Sequence, residues 1–162
     1  MTDKLEILKK IMPVAVLEAM SPATIQAVSQ SVLVDGMVPL RCFPFRVGRQ
    51  SRVKIIDGRV ERIERVTSDS ATPNNDLYLV DNGPQLNVSR EHFQIEKEGD
   101  RFYLYDRNSD CGTFVEEKQV GGSNNEMTVE IKDGDVITVG TKQSPYIFRF
   151  VVLDGFELRL KK

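Results

Sequence analysis

From Gly36 onward the chain is a succession of short apolar runs, each interrupted within a few residues by glycine, proline, asparagine or aspartate. The runs include VKII, DLYLV, HFQIE, RFYLYD, DVITVG and YIFRFVVL. Runs of this length and spacing are typical of strands in an antiparallel β-sandwich, because each is long enough for one strand and too short for a helix in the core. The sequence therefore predicts an all-β fold of two antiparallel sheets.

The dipeptide Asp57-Gly58 predicts a tight hairpin between VKII and RVERIERV. Both residue types tolerate the positive φ angles that two-residue hairpin turns require. In RVERIERV the apolar residues recur at every third position from Val60, so a twisted hairpin and a helical turn both remain open there. The polar stretch 67–75 that follows predicts an exposed loop.

The N-terminal region has a different pattern. Apolar residues spaced three or four apart between positions 5 and 12 predict a short amphipathic helix, with Thr2 as a possible N-cap. The run VAVLEAM predicts a first strand. Ser21 and Pro22 then predict the start of a second helix, because serine caps helix N-termini and proline fits the first helical turn.

These patterns divide the chain into three parts. The parts are a helical or extended segment that packs on or precedes the sandwich (1–35), the sandwich domain (36–153) with an insertion (51–75), and a tail (154–162). Apolar residues alternate along the tail, which predicts a last edge strand or an arm that docks on a partner. The predicted core residues are Phe45, Val47, Leu79, Phe93, Ile95, Phe102, Leu104, Ile137, Val139, Ile147 and Phe148.

Charge and cysteine content narrow the class of function. The net charge is −2 and the charged residues are interspersed, so no broad positive field favours nucleic acid or an anionic membrane. Cys42 and Cys111 have no metal-ligand spacing and indicate no disulfide framework, which favours a reducing cytoplasm. Glu18 ends the apolar run after Lys10, so we expect no signal peptide, and no stretch is long enough to span a bilayer.

Three short motifs lie in predicted turns between strands. They are Gly48-Arg49, Ser89-Arg90-Glu91-His92, and the segment NSDCGTFV that begins at Asn108. With the Asp133-Gly134-Asp135 turn that follows, they resemble in this order the forkhead-associated (FHA) domain, a phosphopeptide-binding β-sandwich. The resemblance covers about residues 36 to 153.

The resemblance implies that Arg49 and Ser89 bind the phosphate of a phosphothreonine. It also implies that Arg90 contributes to the same loop and that His92 supports the loop without touching the ligand. The positions expected to support the binding loop are Gly48, His92, Gly112 and Thr113. These residue types suit the chemistry, because a phosphate dianion needs a fixed cation, a hydroxyl and backbone N–H groups that the strand ladder leaves unpaired.

Asp110 and Cys111 depart from the family pattern, which commonly has a serine or threonine and then an asparagine before Gly-Thr. The resemblance places both positions in the phosphopeptide-binding surface. A thiol cannot replace the paired donor and acceptor of an amide, and an aspartate repels a phosphate unless it turns away or pairs with an arginine. We therefore expect peptide binding about 1 to 3 kcal/mol weaker than the family norm. Alternatively, Asp110 caps its own turn and Cys111 is a small filler.

Other interpretations of the same residues remain open. Arg49 and Arg90 could be surface arginines that pair with Glu91 or Asp81, with Ser89 an ordinary turn serine. His92 lacks a nucleophile or an orienting partner in its sequence context, so we expect no catalysis, and one histidine with two scattered cysteines makes no credible zinc site. We expect neither a metal nor a cofactor.

The insertion carries a concentration of positive charge. Its basic residues near the phosphate motifs are Arg52, Lys54, Arg59, Arg62 and Arg65. A basic hairpin beside a phosphate pocket could contact acidic residues that flank the phosphothreonine, while a solvated face paired with Glu61 and Glu64 is an equally good interpretation.

The expected function is therefore a phosphothreonine-dependent protein-binding module, without enzymatic activity, that recognises phosphopeptides in a kinase signalling assembly. Its partner would be a phosphothreonine-containing or kinase-linked protein, with neither nucleic acid nor a membrane involved. The alternative is an assembly adaptor that keeps the fold and docks partners without phosphate, through the N-terminal helix or the tail. The target sequence, the kinase and the oligomeric state are not predicted.

Overall fold

A computed structural model describes residues 3–50, 53–62, 73–155, 159 and 161. The helices are α1 (Lys4–Ile11) and α2 (Pro22–Ala27). The strands are β1 (Ala15–Ala19), β2 (Met37–Leu40), β3 (Phe45–Arg49), β4 (Val53–Ile56), β5 (Arg59–Arg62), β6 (Leu77–Leu79), β7 (Phe93–Glu98), β8 (Arg101–Asp106), β9 (Thr113–Val115), β10 (Lys118–Val120), β11 (Thr128–Ile131), β12 (Val136–Val139) and β13 (Ile147–Val152).

The strands form two packed sheets and a separate hairpin. One sheet has six strands in the order β10-β9-β12-β13-β1-β2, and the other has five in the order β11-β8-β7-β3-β6. Among the described residues, strands β4 and β5 pair only with each other. The predicted all-β sandwich is confirmed. The pairs are antiparallel except β3 and β6, which run parallel because the chain crosses over between them through the insertion.

The core lies between the two sheets and follows the alternation of each strand. All the predicted core residues are buried except Ile147, which is only half-buried. On β13 Phe148 and Phe150 face the core, so Ile147 and Arg149 must face the other way, because successive side chains of a strand point to opposite faces. The prediction that Ile147 and Phe148 are both core residues was therefore wrong for Ile147.

The N-terminal region is only partly helical. Helix α1 has no buried residue, and its N-cap is Asp3 rather than Thr2, which lies outside the described residues. Strand β1 is confirmed and pairs with both β13 and β2 inside the six-stranded sheet. A division of the chain at residue 36 stays a prediction. No helix in the described part of the chain is long and apolar enough to cross a membrane.

The predicted start of α2 is confirmed. The Ser21 side chain accepts a hydrogen bond from the Thr24 amide at 3.0 Å, and Pro22 lies in the first helical turn. The Ser21 hydroxyl also donates to the carbonyl of Pro145 at 2.6 Å. This short helix is therefore attached to the turn that precedes β13.

The Asp57-Gly58 hairpin is also confirmed, with positive φ angles of 50° and 76° at its two turn residues. Arg59 beside the turn is exposed, whereas Arg52 and Arg65 lie outside the described residues. The helical alternative for residues 63–66, residues 67–72 of the predicted loop and most of the tail also lie outside them, so those expectations and the role of the basic insertion stay predictions. At the described end of that loop Asn75 is buried, so the expected exposure was wrong there.

Strand directions bring the predicted motifs to one end of the sandwich. Strands β3 and β8 both run antiparallel to β7, so the ends of β3 and β8 meet the start of β7. Strand β9 begins at the same end, because the loop 107–112 connects it to β8. Two loops therefore meet at this end, 80–92 and 107–112.

Candidate functional site

Arg49 lies at the end of β3, beside the loop that carries Ser89. Its backbone amide donates to the Ser89 carbonyl at 2.9 Å, and its side-chain Nε donates to the Val88 carbonyl, also at 2.9 Å. The arginine is therefore attached to the Ser89 loop through both its backbone and its side chain. Half-burial of this residue limits the positions that its guanidinium can take.

The Ser89 hydroxyl connects the two loops. Its oxygen accepts a hydrogen bond from the Asp110 amide at 3.0 Å. A hydroxyl has one proton and two lone pairs, so accepting this bond uses a lone pair and leaves the proton for donation to an anion. The arrangement thus fixes the oxygen without using its donor.

His92 is buried under the same two loops. Its Nδ1 accepts a hydrogen bond from the Ser89 amide at 2.9 Å, and its Nε2 lies 2.8 Å from the Gly112 carbonyl oxygen. An amide donor at one nitrogen and a carbonyl acceptor at the other require a neutral ring with its proton on Nε2. Burial lowers the pKa of His92, although the bond to Gly112 and the charge of Asp106 oppose this shift. With both nitrogens bonded to backbone groups, the ring is poorly placed to act as a catalytic base.

Gly48 allows β3 to approach the Ser89 loop closely. A Cβ at this position would lie 2.0 Å from the Arg90 carbonyl oxygen and 2.6 Å from Nδ2 of Asn75. The same Asn75 Nδ2 donates to the Arg90 carbonyl at 2.8 Å. Gly48 therefore leaves the space in which a buried asparagine binds the backbone of Arg90, whose own side chain is exposed.

Arg107, which sequence reasoning missed, holds this asparagine from the other side. Its Nη1 donates to Oδ1 of Asn75 at 2.7 Å, and its Nη2 donates to the Asn74 carbonyl at 3.1 Å and to Oε1 of Glu91 at 2.8 Å. No sequence motif marks either residue, because they lie far apart in the chain and meet only in the fold. Glu91 thus pairs with Arg107, rather than with Arg49 or Arg90.

The Asp81 carboxylate also bonds groups other than the side chains of Arg49 and Arg90. Its carboxylate accepts hydrogen bonds from the amides of Asn87 and Val88 and from the hydroxyl of Tyr146 at 2.7, 3.0 and 2.9 Å. Burial alone would raise the pKa of Asp81, but these bonds outweigh it and lower that pKa. Burial and the same carboxylate raise the pKa of Tyr146 to about 12. This cluster fixes the backbone just before Ser89.

The second loop is organised by Asp106 and Ser109. The Asp106 carboxylate accepts from the Ser109 amide at 2.9 Å and from the Ser109 hydroxyl, and Ser109 Oγ accepts from the Gly112 amide at 3.0 Å. A Cβ on Gly121 would lie 2.0 Å from Cγ of Asp106. The capping groups of this turn are therefore Asp106 and Ser109.

The predicted supporting residues Gly112 and Thr113 lie where this loop enters β9. Gly112 has a φ of 74°, and its carbonyl accepts from both His92 and the Gly140 amide, the latter at 2.9 Å. Thr113 is buried, but within the described part of the chain its hydroxyl has no hydrogen-bond partner. Thr113 thus supports the end of the loop through the backbone pairing of β9 with β10 and β12.

Asp110 and Cys111 form the tip of the second loop. Asp110 is exposed, and its amide makes the bond to Ser89 Oγ described above. Cys111 is half-buried, and its Sγ lies 3.5 Å from the Leu86 carbonyl oxygen. Burial raises the pKa of this thiol, and the charges of Asp110 and Asp81 raise it further. Cys111 is therefore protonated and fills space between the two loops.

The comparisons with known proteins agree with this geometry. The FHA domain family model matches residues 45–140, more than half of the chain. The chain belongs to the FHA domain family. No curated protein matches it, and the described residues contain no cluster of side chains able to hold a metal ion.

Solved structures share the FHA fold at low sequence identity. The FHA domain of an Arabidopsis thaliana hypothetical protein is 18% identical with a TM-score of 0.52, covering 91% of this chain and 92% of that one. Mycobacterium tuberculosis EmbR is 20% identical with a TM-score of 0.51, covering 95% of this chain and 30% of EmbR. The yeast splicing factor Pml1 is 16% identical with a TM-score of 0.50, covering 91% and 87% of the two chains. At these identities the likeness concerns the fold.

Proposed function

We propose that this FHA domain binds protein segments containing phosphothreonine through the loops 80–92 and 107–112, without catalysing a reaction. The observation that carries the proposal is the position of Ser89. Its backbone is bonded to Arg49 and His92, while its hydroxyl oxygen is held by the Asp110 amide and retains a proton to donate. A guanidinium and an oriented hydroxyl at one point are the groups that a phosphate dianion requires.

Backbone donors add to these side chains. No described residue accepts a hydrogen bond from the amides of Arg90 or Glu91, which lie in an exposed turn between two bonded positions. Adjacent unpaired amides in a turn favour anion binding. The exposed Arg90 side chain supplies a second positive charge in the same turn.

A related solved structure supports a phosphopeptide as the ligand class. EmbR, whose fold this chain shares, was solved in complex with a low affinity phosphopeptide. For this chain we also propose a modest affinity, because Cys111 offers a protonated thiol rather than an amide, and because Asp110, whose backbone amide bonds the Ser89 hydroxyl, adds a negative charge to the same loop tip.

The test is a titration with phosphothreonine peptides by isothermal calorimetry, starting from a degenerate library. The wild type should bind, Arg49→Ala should lose at least about tenfold in affinity for the loss of a charged hydrogen bond, and the unphosphorylated peptides should not bind. Arg101→Ala is the matched control, because Arg101 is an exposed arginine at the opposite end of β8. Phosphoserine versions of the peptides that bind test the preference for threonine.

Circular dichroism must show that Arg49→Ala remains folded. Equal affinity for phosphorylated and unphosphorylated peptides, or binding unaffected by Arg49→Ala, would contradict the proposal.

A second candidate function is docking of a partner without phosphate, through α1. The observation in its favour is that Ile7, Leu8 and Ile11 are 45%, 42% and 56% exposed on a helix that buries no residue. If no phosphopeptide in a broad library binds, this function becomes the better one. Replacing the three residues with serine should then abolish partner binding and leave the fold intact.

A further inference from the structure

We propose that Arg107 and Asn75 are positioning residues that fix the peptide group between Arg90 and Glu91 for phosphate binding. This inference rests on the proposed function of the site. Neither side chain belongs to the motifs that identify the loop, and the two residues lie far apart in the chain, Arg107 just after β8 and Asn75 just before β6. We call these two side chains the Arg107 pair.

Arg107 contacts the phosphate-binding turn through its backbone and its side chain. Its amide donates to the His92 carbonyl at 2.8 Å, and its guanidinium bonds Glu91 and Asn75. The side chain is only 15% exposed, and burial lowers the pKa of Arg107 although Glu91 opposes the shift. Burying a cation is unfavourable unless its donors are bonded, so this side chain is held by its contacts.

Asn75 connects the Arg107 side chain to the turn that contains Arg90. Its Oδ1 accepts from Arg107 and its Nδ2 donates to the Arg90 carbonyl, so both ends of one buried amide group are used. Arg107 thereby determines which end of the Asn75 amide faces Arg90. Without the arginine, the asparagine side chain could rotate and offer its oxygen to the Arg90 carbonyl, which would be repulsive.

The orientation of the Arg90 carbonyl determines that of the next amide. The peptide group between Arg90 and Glu91 is planar and trans, so its N–H points away from its C=O. Because Asn75 holds the carbonyl on the inner side of the turn, the Glu91 amide is directed to the outer side. The Arg107 pair therefore fixes one of the two amides that donate to no described residue.

The pair also connects the insertion to the site. Asn74 and Asn75 are the last two residues of the insertion and precede β6, and Arg107 bonds both of them. Gly48 lies against Asn75 on the other side, so a shift of this segment would displace Arg90 or collide with β3. The position of the segment and the geometry of the phosphate turn are therefore coupled.

The test compares Arg107→Met and Arg107→Lys with the wild type. Methionine keeps the aliphatic stem and removes every donor, whereas lysine keeps the charge but cannot form all three side-chain bonds. We expect phosphothreonine-peptide affinity to fall about tenfold in Arg107→Met and less in Arg107→Lys, as for a lost charged hydrogen bond. The matched control is Arg101→Met, because Arg101 is an exposed arginine at the start of β8, the strand that Arg107 follows, and this variant should bind as the wild type does.

A second measurement separates positioning from general weakening of the fold. Amide resonances of the free protein should change at Arg90 and Glu91 in Arg107→Met, while the amide resonances of β12 and β13 stay as in the wild type. The double variant of Asn75→Ala with Arg107→Met should bind no more weakly than Arg107→Met alone, because the two side chains act as a unit.

These readouts distinguish the two proposals. If the wild type binds no phosphopeptide, the proposed function fails, and changed amide resonances at Arg90 and Glu91 in Arg107→Met still support the positioning role. Unchanged resonances at both amides overturn the positioning role, whatever the peptide affinity. Wild-type affinity in Arg107→Met, measured alongside weakened binding in Arg49→Ala, overturns it as well.

Discussion

The two loops at the candidate site differ in how their side chains are used. In the loop that carries Ser89, the His92 ring bonds the Ser89 amide and the Gly112 carbonyl, and the Ser89 hydroxyl bonds the Asp110 amide of the other loop. At the tip of the other loop, Asp110 is exposed and Cys111 makes one long contact through its sulfur. The difference indicates that the first loop is built to hold a fixed geometry, while the tip of the second loop can vary in chemistry without loss of the fold.

The largest effect is expected at the glycines that leave room for the loops. Gly121→Ala would press a Cβ onto the Asp106 carboxyl group at a φ of 70°, so we expect a loss of about 4 kcal/mol in the free energy of unfolding from overpacking and strain together. Gly58→Ala is the matched control, because its φ is 76° with nothing within 4 Å. Urea denaturation measures both variants, and equal losses would show that crowding under the second loop is unimportant.

Removal of the buried imidazole should come next. His92→Ala leaves the Ser89 amide without its acceptor, removes one of the two donors to the Gly112 carbonyl and leaves a cavity in place of the ring, and we expect a loss of about 3 kcal/mol from these effects together. The comparison of the loops predicts a smaller loss for Cys111→Ala, which removes a half-buried side chain. If both variants unfold at the same urea concentration, the first loop is no more constrained than the second.

The same histidine predicts a pH dependence. Burial lowers its pKa in the folded protein below the unfolded value of 6.5, so between these two pKa values the unfolded chain binds more protons. Stability attributable to His92 is therefore complete above pH 6.5 and decreases as the pH falls below it. Thermal unfolding between pH 7 and pH 5 should show this decline in the wild type, and a persistent decline of equal size in His92→Ala would assign it to another group.

A smaller effect, in binding rather than stability, is expected at the tip of the second loop. Asp110→Ser removes a negative charge and Cys111→Asn supplies an amide, so each should strengthen phosphothreonine-peptide binding by about 1 kcal/mol. Asp100→Ser is the matched control, because Asp100 is an exposed aspartate in the turn between β7 and β8, away from the site. Unchanged affinity in both loop variants would mean that this tip does not face the peptide.

The smallest expected difference concerns thiol reactivity. Cys42 is exposed, whereas Cys111 is half-buried with a raised pKa, so an alkylating reagent near pH 8 should modify Cys42 first. Mass spectrometry of the digested protein gives the two rates. Faster modification of Cys111 would indicate that the second loop opens in solution.

Much of the fold could be predicted because local patterns act over a few residues. Strand alternation placed most of the core, and Asp57-Gly58 and Ser21-Pro22 specified a hairpin and a helix start. The run that contains Ile147 was ambiguous, because two adjacent apolar residues fit either face of a strand until its neighbours are known.

In the candidate site, the sequence identified the residues that belong to the family motifs and missed those that only position them. Arg49, Ser89 and His92 could be named from the sequence, and the structure brings them together. Arg107 and Asn75 could not, because a buried arginine resembles a surface one in a sequence with interspersed charges. Their contacts depend on the parallel pairing of β3 and β6, which strand patterns alone do not specify.

The Gly112 carbonyl accepts hydrogen bonds from His92, beside the five-stranded sheet, and from Gly140, at the end of a strand of the six-stranded sheet. A ligand held by these loops would thus bind only while the two sheets remain packed. Ligand binding and global unfolding are then thermodynamically linked, and a phosphopeptide at a hundred times its Kd should stabilise the whole domain by about 2.7 kcal/mol. A rise in melting temperature can therefore serve as a simple screen for the natural ligand.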